Sequence, residues 1–230
     1  MFIGEEMHAS QDWHIVLTGD LKSSRKRKDR AKIQEDLKNA LVIVNKTFDE
    51  AISADFMIVG GDGFQGMLSS LEYSFDIYYK LVENIGHQFY LGVGVGGIST
   101  SLSKNVSEMD GEVFYRSSES LSKAKKERSW VAFKSAGWCD NIITSSLNLM
   151  ADVVWNWSKK QRDIILYYRS HRENREAVEL AAENFGVGER SIYKTLRTGK
   201  YHLLKKTEDA LKEMMNQKWF KSNIEPKNGQ

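Results

Sequence analysis

The sequence predicts an α+β chain: a mainly antiparallel sheet with helices on one face, then a small all-α helix-turn-helix unit. Three observations carry that reading. Over residues 13–136, short apolar runs and helical periodicities follow the order β-α-β-β-α-β-α-β, the split βαβ arrangement with a further helix and strand appended. The two strands with no helix between them flank Gly60-Gly61-Asp62-Gly63, and Gly and Asp accept the positive φ that tight hairpin turns require. Past residue 157 only helical periodicities remain, and one pair has helix-turn-helix spacing.

Residues 1–12 are polar and read as a flexible N-terminus. The run from His14 to Asp20 is a short apolar strand ending in Gly-Asp, with Asp20 at its C-terminal end. The segment from Leu21 to Arg30 is dense in cations and hydroxyls, among them Lys22, Ser23, Ser24 and Arg25. It leads into a helix with Ile33, Leu37, Leu41 and Val44 at spacings of three and four. Asp55–Val59 and Gln65–Leu68 are the arms of the hairpin, which lifts Asp62 to its tip. Ser69–Asn84 reads as a helix with a broad apolar face. Phe89–Ile98 is a strand alternating Gly and Val; glycine weakens a strand, so the run implies close backbone approach by something else. Glu112–Lys126 reads as a helix and Trp130–Phe133 as a last short strand.

A connector follows over 137–157, with an apolar helix at Leu147–Trp155. Ser158 is a good N-cap for a helix over Lys159–His171. From Ala177 to Leu196 the pattern is helix-turn-helix, within a unit spanning 158–220. Ala182 is the small residue where the helices cross, Gly186 makes the turn, and Val187, Ile192 and Leu196 are the buried positions of the second helix. That helix turns Arg190, Tyr193, Lys194 and Arg197 outward, the cations and aromatic that a DNA groove requires. Thr207–Trp219 predicts a final helix, and 221–230 a polar tail.

Composition bounds the function classes. With 41% hydrophobic and 28% charged residues, the chain is expected to be soluble. A net charge of +2 argues neither for nor against nucleic acid, so the distribution of charge matters more. The single cysteine, Cys139, excludes an intrachain disulfide and a cysteine-based metal cluster and fits a cytoplasmic location. No apolar run is long enough for a bilayer, so no membrane is expected. The five histidines show no metal-ligand spacing.

The split topology lets the first strand pair with the hairpin. Asp20 and Asp62 then share one edge of the sheet beside the basic, hydroxyl-rich loop. Mg²⁺ takes one or two carboxylates plus phosphate oxygens, and nearby cations neutralise the remaining charge. Helix N-terminal amides, serine hydroxyls and Lys/Arg side chains together make a phosphate site. The pattern therefore points to Mg²⁺ (or Mn²⁺) at Asp20 and Asp62, with a nucleotide held by Lys22, Ser23, Ser24, Arg25, Gly61 and Gly63.

Leu17–Arg25, Gly61–Gly66, Gly92–Thr100 and Asn156–Arg162 resemble the SatD family, with short matching blocks over about residues 13–205. SatD-like proteins are in turn similar to the palm domains of nucleotide cyclases and GGDEF proteins. There, a carboxylate after the first strand and another on the hairpin hold two divalent ions, and Asp20 and Asp62 match those positions. Ser122-Lys123-Ala124-Lys125 is similar to the end of a GGDEF helix, which implies Lys125 as a phosphate ligand. The resemblance also implies a purine nucleotide and a homodimer. Two departures stand out. Gly63 replaces an acidic residue of GGDEF enzymes. The Asn/Arg pair of class III cyclases is missing from Gly111–Ser120, which offers Tyr115, Arg116 and Glu119 instead. The favoured reading is a nucleotide-responsive, DNA-binding regulator. The alternatives are a two-metal cyclase or nucleotidyltransferase, and a degenerate palm kept as a dimerisation scaffold.

Overall fold

The computed structural model describes residues 13–22, 30–217 and 220. Its elements are β1 (His14–Leu21), α1 (Arg30–Thr47), β2 (Ile52–Val59), β3 (Gly63–Leu68), α2 (Ser74–Ile85), β4 (Phe89–Gly96), α3 (Glu112–Glu127), β5 (Val131–Lys134), α4 (Asp140–Trp155), α5 (Lys159–Ser170), α6 (Arg175–Asn184), α7 (Glu189–Thr198) and α8 (Tyr201–Asn216). The expectations for residues 1–12, for Ser23, Ser24 and Arg25, and for 221–230 lie outside the described residues.

The strands form one sheet in the order β2-β3-β1-β4-β5. β1 is antiparallel to both β3 and β4, β2 is antiparallel to β3, and β5 runs parallel to β4. This is the split βαβ topology with one parallel strand added at the edge.

The expectation of helices on one face is corrected. Successive residues of a strand face opposite sides of the sheet. Ile15 and Leu17 of β1, Phe64 and Leu68 of β3, and Leu91, Val93 and Val95 of β4 share a core with α1, α2 and α4. Val16, Ala54 and Met67 point the other way and pack with Val113 and Phe114 of α3. The crossovers β3-α2-β4 and β4-α3-β5 both join parallel strands in the same direction across the sheet, yet α2 and α3 lie on opposite faces. The two crossovers therefore have opposite hands, against the strong right-handed preference of such units. The glycines of β4 permit it. A Cβ on Gly92 would collide with the backbone at Leu121 and Ser117, and one on Gly94 with Ser117 and Val113. The alternating Gly/Val strand thus keeps its valines for one core and lays bare backbone under α3.

Three helix starts differ from the sequence reading. α2 begins at Ser74, because Leu71–Tyr73 form a turn closed by Ser74 N–H on the Leu71 carbonyl at 3.2 Å. α4 begins at Asp140 rather than Leu147, because Ile143 is buried and the polar Asp140 and Thr144 bond to Ser135 and to Phe133 of β5. α8 begins at Tyr201 rather than Thr207; Lys200, at φ 56°, turns the chain directly from α7 into α8.

Helices α5–α8 continue the first core. Ser158 caps α5 in a reciprocal capping box with Gln161. Ala177, Val178 and Ala181 of α6 and Ile192 and Leu196 of α7 are buried, while Ala182 and Val187 are half-buried. Gly186 makes the turn at φ 60°. Trp157 stacks on Tyr79 of α2 with centroids 6.4 Å apart. Arg169 of α5 is bidentate to Glu208 of α8 at 2.9 and 2.8 Å, reaches Asp76 of α2 at 2.6 Å, and lies 4.2 Å over the Tyr79 ring. Burial opposes this guanidinium's charge, but the Glu208 carboxylate outweighs it and holds the group above its ordinary range.

Candidate functional site

The C-terminal end of β1 and the β2–β3 hairpin build one corner of the sheet. Asp20 pairs with Gly63 across β1 and β3, so the hairpin tip lies beside the end of β1. The Leu21 N–H closes on the Asp62 carbonyl at 3.1 Å. Gly60 and Gly61 take φ of 64° and 93°, a conformation that glycine adopts at no steric cost. The Asp62 side chain is buried and that of Asp20 is a quarter exposed. The side chain of Gln34, in the second turn of α1, donates to the Gly61 carbonyl at 2.9 Å. The N-terminal end of α1 is thereby fixed near the tip, and α1 has no acidic residue in its first turn.

Helix α3 completes the corner from the glycine-lined face. Its Lys125 places Nζ 2.7 Å from Asp20 Oδ2. Thus Asp20, Asp62, Gly61, Gly63 and Lys125 come together, on three segments far apart in sequence. Lys22 goes elsewhere. Its Nζ sits 4.2 Å from the centroid of Trp130 and 5.5 Å from that of Tyr90, and its carbonyl accepts from His87 at 2.8 Å. Ser23, Ser24 and Arg25 lie outside the described residues.

Sequence reasoning missed a polar line beside Asp20. Gln65 donates to Thr18 Oγ1 at 2.8 Å, and Thr18 bonds the Ser117 hydroxyl of α3. Thr18 and Asp20 are two apart on β1, and Gln65 and Gly63 are their partners on β3. The period-two spacing of Thr18 and Asp20 was the available signal; the α3 contribution had none, because its face could not be assigned.

The residues standing where a cyclase would carry its Asn/Arg pair are engaged. Arg116 donates to the Val95 carbonyl at 2.6 Å and pairs with Glu112. Glu119 pairs with Lys134 at 2.7 Å. Tyr115 donates to Asp110 at 3.0 Å, and that carboxylate pushes the exposed phenol above its usual range.

The donor chemistry fits a hard divalent cation. Mg²⁺ selects oxygen ligands, and two carboxylates plus hairpin carbonyls are of that kind. The Lys125 ammonium against Asp20 shows that this carboxylate takes a cation as its partner. Among the described residues no three His, Cys, Asp or Glu side chains gather around one point. An ion at Asp20 and Asp62 would therefore fill its shell with ligand or solvent oxygens. In the C-terminal half, Arg190, Tyr193, Lys194 and Arg197 are all exposed along α7.

A family model described as the SatD family matches residues 14–215. The chain belongs to the SatD family. No curated protein matches it. Solved structures similar to this SatD-family chain include a bacterial light-regulated adenylyl cyclase, at 9% identity and a TM-score of 0.42, covering 54% of this chain and 76% of the other. Another is the catalytic core of a rhodopsin-guanylyl cyclase with converted specificity in complex with ATPalphaS. It has 14% identity and a TM-score of 0.33, and the match covers 48% of this chain and 72% of that one. A further bacterial light-regulated adenylyl cyclase has 12% identity and a TM-score of 0.35, with 54% and 43% covered. No described helix is long and apolar enough to cross a membrane.

Proposed function

We propose that this SatD-family protein is a nucleotide-responsive regulator. Its palm-like part (13–136) binds a purine nucleotide with Mg²⁺ or Mn²⁺. Its helix-turn-helix (158–220), joined through 137–157, binds DNA. The protein acts as a homodimer in the cytoplasm. The observation that carries the reading is the convergence of Asp20, Asp62 and Lys125 at one glycine-lined corner. Asp20 and Asp62 are the metal ligands. Lys125 neutralises Asp20 until phosphates and metal arrive, and then serves the phosphates; Gly61 and Gly63 allow their close approach. Ser23, Ser24 and Arg25 supply the remaining anion contacts, while Lys22 is held over the Trp130 ring.

Binding rather than turnover is favoured because Tyr115, Arg116 and Glu119 all hold other partners. The DNA part rests on the exposed row Arg190, Tyr193, Lys194 and Arg197. Coupling between the parts needs an element that both touch. The cluster of Asp76 with the buried Arg169 and Glu208 joins α2 to α5 and α8 and supports that role.

The test is calorimetric titration with ATP and GTP, with and without Mg²⁺, on wild type and Asp62→Asn, followed by chromatography of the nucleotide. Metal-dependent binding lost in the variant, with intact nucleotide at the end, is the expected result. Conversion of the nucleotide would replace the regulator by the two-metal enzyme. Unchanged affinity in Asp62→Asn would sink the metal assignment, and no binding at all would leave a scaffold.

A further inference from the structure

Helix α4 turns one side to the core and β5 and leaves an apolar row on the other. Ile143, Met150, Ala151 and Val154 are buried, whereas Ile142 is 56% exposed and Leu149 73%. At about 100° per residue, Ile142 and Leu149 stand about 20° apart around the α4 axis, and the half-buried Val153 lies beside them. A single exposed aliphatic is ordinary on a protein surface. A row of them along one helix marks an interaction surface. Ser145 and Ser146 sit between Ile142 and Leu149, about 50° to either side of the row.

The row has the symmetry that a second copy of this chain requires. A two-fold contact is self-complementary: residue i meets residue j, and j meets i. About the midpoint between Ser145 and Ser146 the pattern is the same in both directions, a small residue and then a large aliphatic, Leu149 or Ile142. Two antiparallel α4 helices crossing there set Ile142 on the partner's Leu149 and Leu149 on the partner's Ile142. The serines let the two axes approach. Charge does not oppose the pairing. α4 contains no Lys or Arg, and its acidic residues are Asp140 and Asp152. Asp140 turns inward, where it accepts from the Ser135 hydroxyl at 2.6 Å. The same two-fold sets Asp152 level with the partner's Cys139, so no like charges meet. Depletion of charge at the centre of a patch is the compositional mark of a protein interface.

We propose that the outer face of α4 is the contact between two copies of this chain, paired antiparallel about a two-fold axis between Ser145 and Ser146. It gives the homodimer of the proposed function its surface, and it rests on that part of the reading alone, not on nucleotide or DNA. A single helix pair is small beside a standard interface of about 800 Å² per partner, so the dimer is reversible and depends on concentration.

The test is sedimentation velocity on the full chain over a concentration series, with oxidative cross-linking beside it. Wild type should dimerise by about 100 µM. Leu149→Glu should raise the dimer dissociation constant at least about a hundredfold, because each dimer carries the change twice. Ser145→Cys should cross-link to its own copy on mild oxidation. Antiparallel axes about 8–10 Å apart leave the two Cα atoms about 5–7 Å apart, within disulfide reach. Glu127→Cys, exposed on α3, is the control and should not cross-link; the native Cys139 is buried. Leu149 and Ser145 are exposed, so the fold should survive, and circular dichroism checks that. A dimer unaffected by Leu149→Glu overturns the proposal and leaves the homodimer to another surface. Cross-linking of Ser145→Cys no faster than that of Glu127→Cys does the same. A wild type that stays monomeric overturns the proposal and the homodimer together.

Discussion

Replacing Arg169 with methionine removes the central cation of a buried ion cluster while keeping most of the side chain's volume. The Arg169 side chain is 7% exposed and Glu208 is fully buried. Two hydrogen bonds to Glu208 and one to Asp76 disappear. Breaking a buried pair by deleting one partner costs about 3–5 kcal/mol, because a carboxylate is left behind without its cation. Lys212, 3.2 Å from Glu208, and Lys205, 3.7 Å away, remain and relieve part of that cost. Asp76 is a third exposed and keeps Lys212 at 3.6 Å, so its share is small. The expected loss is therefore at the low end, about 3 kcal/mol. For a chain of this size it lowers Tm by roughly 6–12 °C. Urea denaturation followed by circular dichroism measures it. Arg169→Met with Glu208→Leu removes both charges and should recover most of the loss. A single variant within 1 kcal/mol of wild type, or a double variant less stable than the single, would refute the reasoning.

Three other outcomes are expected. Gly94→Ala pushes a methyl into the α3 backbone at Ser117 and Val113; it should cost about 1–3 kcal/mol and weaken nucleotide binding with it, because α3 carries Lys125. Wild-type values for both by denaturation and calorimetry would show that α3 does not sit on this strand. Arg190→Ala with Lys194→Ala should weaken DNA binding and reduce its salt slope by about two; an unaltered slope in filter binding at varied salt rules out α7 as the recognition helix. Burial first, and then the neighbouring Asp140 charge, raise the Cys139 thiol above its ordinary range. At pH 8 it should therefore alkylate at least about tenfold more slowly in the native protein than in urea, and equal rates by mass spectrometry would contradict its burial.

Much of the first half was legible in the sequence because its signals are local. The Gly/Asp tip, the strand endings and the 3.6-residue periods each act within a few residues, so β1 to β5 fall in the order the sequence predicts. The hairpin placed Asp62, and pairing of β1 with β3 placed Asp20 beside it. The Gly/Val strand announced that something approaches closely. It could not announce what, since the partner, α3, makes its tightest contacts at Gly92 and Gly94 through its backbone.

The sequence by itself determined the element order, the pairing that sets Asp20 beside the hairpin tip, and the two helices α6 and α7 joined by the turn at Gly186. Tertiary structure alone decided which face α3 covers. Handedness is a property of the whole crossover, and here α2 and α4 already fill one face while the glycines open the other. It also decided where Lys22 points, drawn over the Trp130 ring, and how α5–α8 join the sheet layer. That junction depends on Asp76, Arg169 and Glu208, which no local pattern relates. Each is an ordinary surface charge in its own helix until packing takes Arg169 and Glu208 out of water and leaves Asp76 a third exposed.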